Sequence, residues 1–232
     1  MKKMTLTTAA LTALLAASTT TSVFAEDAVP APAYSTGKAI LTEDVKPTDP
    51  VDPTDPGTGN DGPLSLDTVP SYDFGSKALE GGDTIFNTPK VLLADGTYAD
   101  KDGHVQVTDK RGTGAGWKLT VKYVAGADGS ATTTNEAWTS TDGLHIKGAL
   151  LELPAATWLN TNDEAVGAPD LTKAASITDA DVDYASASKD LGMGTWIGTV
   201  TSANVKLTVP QGNKVGDYKA NLQWTLTDAA QA

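Results

Sequence analysis

The chain's only imidazoles are His104 and His145. Neither stands in an H-x-H or H-x-x-x-H spacing, the patterns that bring two ring nitrogens onto one metal ion. Asp179, Asp181 and Asp183 repeat the opening ligands of a calcium loop. That loop needs glycine at its sixth position and a bidentate glutamate at its twelfth, and this chain has Tyr184 and Asp190 there. An EF-hand is therefore excluded. Gly112, Gly114 and Gly116 crowd together before Trp117, but a dinucleotide fingerprint needs glycine where Trp117 stands, and the Lys-Ser/Thr pair of a P-loop is missing. We read this stretch as a backbone-dense lead into a strand beginning at Trp117, with Arg111 available to a carboxylate. There is no G-x-S-x-G elbow. The absence of cysteine rules out thiol nucleophiles, Cys-ligated metals, disulfides and a lipoprotein anchor. A glycosidase needs two carboxylates about 5–10 Å apart in a cleft, and no pair stands out. The expectation is a binding protein, not an enzyme, with no metal and no cofactor.

The remaining chemistry is aromatic. Two of the five tryptophans sit in W-x-L triplets, Trp117 with Leu119 and Trp224 with Leu226. A spacing of two puts both side chains on one face of a strand. Such a pair makes a strong core contact or a strong partner contact, and physical reasoning alone favours core. Trp138, Trp158 and Trp196 stand in less regular surroundings, which makes them candidates for stacking on glycan rings or plugs for the end of the fold.

The elements that must position these residues are strands. Tyr218, Ala220, Leu222, Trp224 and Leu226 alternate with polar residues, as do Trp117, Leu119, Val121 and Tyr123, and Val205, Leu207 and Val209. Shorter runs are Val105–Val107 and the stretch from Leu144 and Ile146 to Leu153. Asp-Gly pairs at 95–96, 102–103, 128–129 and 142–143 separate them. Leu171 to Asp183 is the one place for a short helix. These patterns predict an all-β fold, a Greek-key or Ig-like β-sandwich of two half-buried sheets. With Trp224 on so regular a strand, its removal is expected to harm folding more than binding.

Three segments precede or make up this fold. Residues 1–25 read as a signal peptide: Lys2 and Lys3, an apolar run from Leu6 to Ala17, then Val23-Phe24-Ala25 as the cleavage site. The run is too short for a membrane span, which takes roughly 20 apolar residues. Residues 26–62 read as a spacer, because Pro47, Pro50, Pro53 and Pro56 recur at the polyproline II period with repelling Asp residues between them. Residues 63–232 form the folded domain.

Four blocks in that domain resemble the WxL domain family of cell-surface proteins of Gram-positive bacteria. They are Leu64 to Gly75, Asp109 to Leu119, Leu144 to Leu153, and Val209 through Trp224 and Leu226. The distal block departs from the family at Gln223, where Thr is usual, and at Ala230, where Pro is usual. Neither removes an apolar face residue. The resemblance implies secretion and noncovalent attachment to the cell wall with peptidoglycan as receptor. It further implies work alongside other WxL proteins and a membrane-anchored WxL-interacting protein. The alternative is an adhesin or complex subunit whose main contact is protein, either host matrix or a neighbouring surface protein.

Charge narrows the mode of contact. With 29 acidic residues against 17 basic ones and a net charge of −12, the chain is a poor match for nucleic acid. It is also poorly suited to electrostatic attraction by anionic wall polymers. Shape, aromatic faces and hydrogen bonds are expected to carry recognition, with little salt dependence.

Overall fold

The structure is a computed structural model that describes residues 32–229. The expected signal peptide and residues 26–31 of the expected spacer lie outside the described residues. The chain divides into two compact units, residues 1–40 and 41–232. In the first, residues 32–40 are exposed and carry no regular secondary structure.

The second unit is all-β. Its strands are β1 (Leu64–Thr68), β2 (Tyr72–Asp73), β3 (Thr84–Asn87), β4 (Lys90–Leu92), β5 (Tyr98–Ala99), β6 (Gly103–Asp109) and β7 (Trp117–Val124). They continue with β8 (Thr139–Ser140), β9 (Leu150–Leu153), β10 (Thr157–Asn160), β11 (Leu171–Thr172) and β12 (Ala175–Ser176). The last are β13 (Val182–Ala187), β14 (Gly194–Val200), β15 (Lys206–Val209), β16 (Tyr218–Lys219) and β17 (Asn221–Asp228).

These strands do not make the two sheets of the expected sandwich. They make five small antiparallel sheets, ordered β1-β6-β14-β10, β11-β13-β7-β17, β12-β9-β15-β3, β16-β8 and β2-β4-β5. Strand length is one reason, since six of the described strands are only two residues long and cannot carry a sheet far. Bulges are another: register shifts fall between Leu66 and Thr68 and between Asp183 and Ala185, and a bulge bends its strand and increases its twist. The helix expected within Leu171–Asp183 is absent. Ala175 and Ile177 are buried and alternate with exposed Ser176, which is a strand pattern, and β12 pairs with β9.

β7 shows the alternation in its cleanest form. Trp117, Leu119, Val121 and Tyr123 are buried, while Lys118 and Lys122 face outward to ion-pair with Asp183 at 2.8 Å and Asp181 at 3.3 Å. Asp179 instead accepts from the Thr134 hydroxyl at 2.7 Å. The three carboxylates that resemble a calcium loop in sequence thus go to separate partners. The long run expected from Tyr218 splits after Lys219: β16 pairs with β8, and β17 pairs with β7.

β6 is buried on both faces. Val105 and Val107 enter the core, and Gln106 and Thr108 point the other way. There they meet Asp67, whose carboxylate accepts from Ser65 at 2.6 Å, Gln106 at 2.9 Å and Thr108 at 2.6 Å. Three donors satisfy this buried carboxylate.

What covers that polar face is the Asp-Pro segment, and here the expected spacer boundary at Gly62 is wrong. Residues 44–62 lie against the domain as a strap. The Val51 N–H donates to Gln106 Oε1 at 2.7 Å, and Gln106 Nε2 donates to the Asp49 carbonyl at 3.1 Å. Gly57 forms a bridge with Thr68, and the Thr58 N–H donates to the Asp67 carbonyl at 2.8 Å. Lys101 Nζ reaches Asp52 at 2.8 Å, Thr54 at 3.0 Å and Asp55 at 2.7 Å. Proline and aspartate disfavour a free globular core, but their carbonyls and carboxylates are good acceptors for donors displayed by β6.

Candidate binding groove beside the tryptophan motifs

The two W-x-L triplets come together. β7 and β17 pair with Leu119 opposite Leu226 and Val121 opposite Trp224. Their environments differ. Trp117 and Leu119 have no exposed surface at all, and the Trp117 indole donates to the Gly192 carbonyl at 3.1 Å. Trp224 and Leu226 are only half-buried, because β17 is the edge of its sheet. The alternation in the sequence marks the inward face correctly and carries no information about which strand is an edge.

The lead into β7 is as backbone-dense as its glycines suggest. Gly116 takes a positive φ of 76°, and a Cβ there would lie 2.2 Å from the Ala187 carbonyl oxygen. The Gly114 carbonyl accepts from the Asp190 N–H at 2.8 Å. Arg111 finds its carboxylate partners within the chain. It makes a two-pronged contact with Asp109, Nε to Oδ1 at 2.9 Å and Nη2 to Oδ2 at 2.7 Å. The Nη2 group also donates to the Gly116 carbonyl at 2.7 Å, and Nη1 pairs with Asp228 at 2.9 Å. Asp109 raises the Arg111 pKa further. Arg111 therefore ties the end of β6 to both motif strands.

Trp138, Trp158 and Trp196, the three candidates for glycan contact, are all buried. Irregular flanking sequence reflects short strands and turns in this fold, not exposure. Trp158 packs edge-on to Trp117 at 5.8 Å and against Gly198, where a Cβ would come within 2.8 Å of its ring. The Trp196 indole donates to the Met193 carbonyl at 2.9 Å. Trp138 donates to the Tyr123 hydroxyl at 3.0 Å, and burial pushes that phenol up to about 12, so it stays neutral. Trp138 also forms part of a surface groove, and Trp196 lines a smaller hollow beside Val166 and Met193.

That groove has a volume of about 960 Å³. One wall is an aromatic cluster around Phe74, with Tyr72, Phe86 and Trp138 at centroid distances of 6.4, 6.3 and 6.2 Å. Tyr218, Leu222 and Trp224 line the same groove, and Trp224 sits edge-on to Tyr184 at 5.2 Å. Lys77, Lys214 and Lys219 line it with Asp73 and Asp217, so its charged groups are nearly balanced on an acidic chain. Val215, also in its lining, is 80% exposed. Tyr218 is thus a groove residue. Phe74, Phe86 and the groove lysines were not singled out by sequence, since they lie in short strands and loops without periodicity.

Among the described residues, Asp52, Asp55 and His104 are the one group of side chains spaced to share a metal ion. Lys101 already occupies the space between the two carboxylates, and His104 Nδ1 lies 2.6 Å from Asp55. The group is a strap fastening, with a lysine where a cation would sit. No described helix is long and apolar enough to cross a membrane.

No curated protein and no solved structure matches the chain. A family model described as WxL domain, surface cell wall-binding, matches residues 28–230, a span that includes the strap as well as both motif strands. The chain therefore belongs to the WxL family of surface cell wall-binding domains.

Proposed function

We propose that this chain is an exported, non-enzymatic surface protein that attaches noncovalently to the cell wall, with peptidoglycan as its receptor. The groove beside β17 is the contact. The observation that carries this reading is the meeting of the half-buried distal motif with the Phe74 ring cluster. Sugar rings present flat C–H faces that stack on aromatic side chains, and the groove lysines offer N–H donors to glycan hydroxyls and peptide carboxylates. A pre-formed, mostly apolar cleft with a few polar groups is the usual form of a small-molecule or polymer subsite. The buried candidates Trp158 and Trp196 leave the role of contact to Tyr218, Trp224 and Phe74.

The test is co-sedimentation of residues 26–232, strap included, with purified peptidoglycan. The chain is expected to pellet with the wall and release no reducing ends from it. Tyr218→Ala is expected to weaken binding about tenfold, the equivalent of 1.4 kcal/mol, while near-UV circular dichroism stays native. A chain that remains in the supernatant with an inert control protein refutes wall binding. A Tyr218→Ala variant that pellets like the parent refutes the groove.

A further inference from the structure

We infer that β17 is the pairing edge of a symmetric dimer, in which a second copy of this chain adds its own β17 in antiparallel register. The wall contact is not needed for this inference.

Exposed sheet edges invite pairing, and proteins blunt them with short strands, bulges, proline, lysine or a covering segment. Every other edge in this fold is managed in one of these ways. β2, β5, β8, β11, β12 and β16 are two residues long, and β3 and β10 have four. β1 is covered by the strap through the Gly57–Thr68 bridge. Among the described edge strands, β17 alone has eight residues, pairs with β7 without a register shift, and contains no proline, lysine or arginine.

The phase of the ladder shows which groups the edge offers. The Tyr123 N–H donates to the Thr178 carbonyl, on the side away from β17, and the Ala229 N–H donates to the Gly116 carbonyl. In an antiparallel pair, bonded and non-bonded positions alternate. Gln223, Thr225 and Thr227 therefore bond to β7, and the N–H and C=O groups of Leu222, Trp224 and Leu226 point outward. No hydrogen bond among the described residues uses those outward groups.

The side chains then specify the incoming strand. It must place apolar residues beside Leu222, Trp224 and Leu226, and polar ones beside Gln223 and Thr225. β17 meets this requirement when turned about a two-fold axis at Trp224. Trp224 then faces Trp224 of the second copy, Leu222 faces Leu226, and Gln223 faces Thr225. No like charges are opposed, because the only charged residue of the strand is Asp228, which pairs with Arg111. This is the isologous contact expected of a two-fold dimer, made along a charge-silent edge of an otherwise acidic chain.

The experiment uses residues 26–232 in sedimentation velocity from about 1 μM to about 1 mM, a range that spans weak to moderate affinity. Amide exchange is measured at both ends of that range. Dimer is expected to form with rising concentration, with new protection at Leu222, Trp224 and Leu226. In the Q223C/T225C variant, oxidation is expected to cross-link the dimer, since the chain has no other cysteine. Q223E/T225E places glutamates opposite one another in the dimer, and residue 223 faces Lys122 within its own sheet, so the fold is kept. Its dimer is expected to weaken at least about tenfold. A monomer at every concentration, or a dimer unaffected by Q223E/T225E, overturns the inference. So does β17 protection that appears only when another protein or wall is added.

Discussion

Replacing Lys101 with alanine should release the strap. Its ammonium contacts Asp52, Thr54 and Asp55, and the three differ in weight. The Asp55 side chain is 4% exposed, so losing Lys101 leaves a buried carboxylate with only His104 beside it. Removing one partner of a buried pair costs about 3–5 kcal/mol. Asp52 is about a third exposed and adds only surface-scale energy, roughly 0–1 kcal/mol. Retention of His104 places the total near the lower bound, about 3 kcal/mol. A domain of this size loses roughly 2–4 °C of Tm per kcal/mol, so the shift should be about 6–12 °C. Thermal unfolding followed by tryptophan fluorescence measures it, and limited proteolysis of residues 44–62 reports the strap directly. K101A/D55N should recover part of the loss, because the neutral amide no longer needs a cation. A K101A shift under about 2 °C, or a double variant worse than K101A alone, would refute the reasoning.

Three further outcomes follow from the same geometry. Trp117→Ala removes a fully enclosed indole and should cost about 3–5 kcal/mol, whereas half-buried Trp224→Ala should leave a folded domain with weakened wall binding. Urea unfolding and co-sedimentation separate the two. Gly116→Ala forces a Cβ onto the Ala187 carbonyl at a left-handed backbone position, and should cut soluble yield and lower Tm more than Gly143→Ala, which meets nothing within 4 Å. The hydrogen bond from Lys101 holds the Asp52 carboxyl well below the usual carboxylate range. The stability it adds is complete above the unfolded value of about 4 and is lost as pH falls through the lower folded value. Tm measured from pH 7 to pH 2 should therefore drop below about pH 4, with a shallower drop in K101A.

The strands that carry the motifs are legible from sequence because period-two alternation is a local signal. β7 starts at Trp117, where the pattern starts, and β15 covers most of the Val205–Val209 run. β14 carries little signal in the sequence because Gly194, Thr195, Gly198 and Thr199 dilute its apolar content, although Trp196 and Val200 are buried within it. The strap is not legible in the sequence because its anchors are remote. Lys101, His104 and Gln106 lie 46 to 57 residues from the groups they hold, and composition records only that Asp and Pro can stay extended. The groove was half legible: Tyr218 and Trp224 announce themselves in the distal motif, while Phe74 and Phe86 join them only through the fold. Of the two roles open to Trp138, Trp158 and Trp196, burial prevails, because an irregular neighbourhood in sequence can still lie inside the fold.

The pairing of β7 with β17 also sets a timetable. Thr227 and Lys118 are in contact across 109 residues of chain, so the sheet that seats Trp117 cannot be completed until residues 221–228 have been made. Contacts this distant in sequence slow folding. During synthesis β7 has one edge without its partner, and the domain stays open until β17 arrives. A chain that stops before Asn221 should stay trapped in this unfinished state, a condition that pulse proteolysis of nascent chains can time.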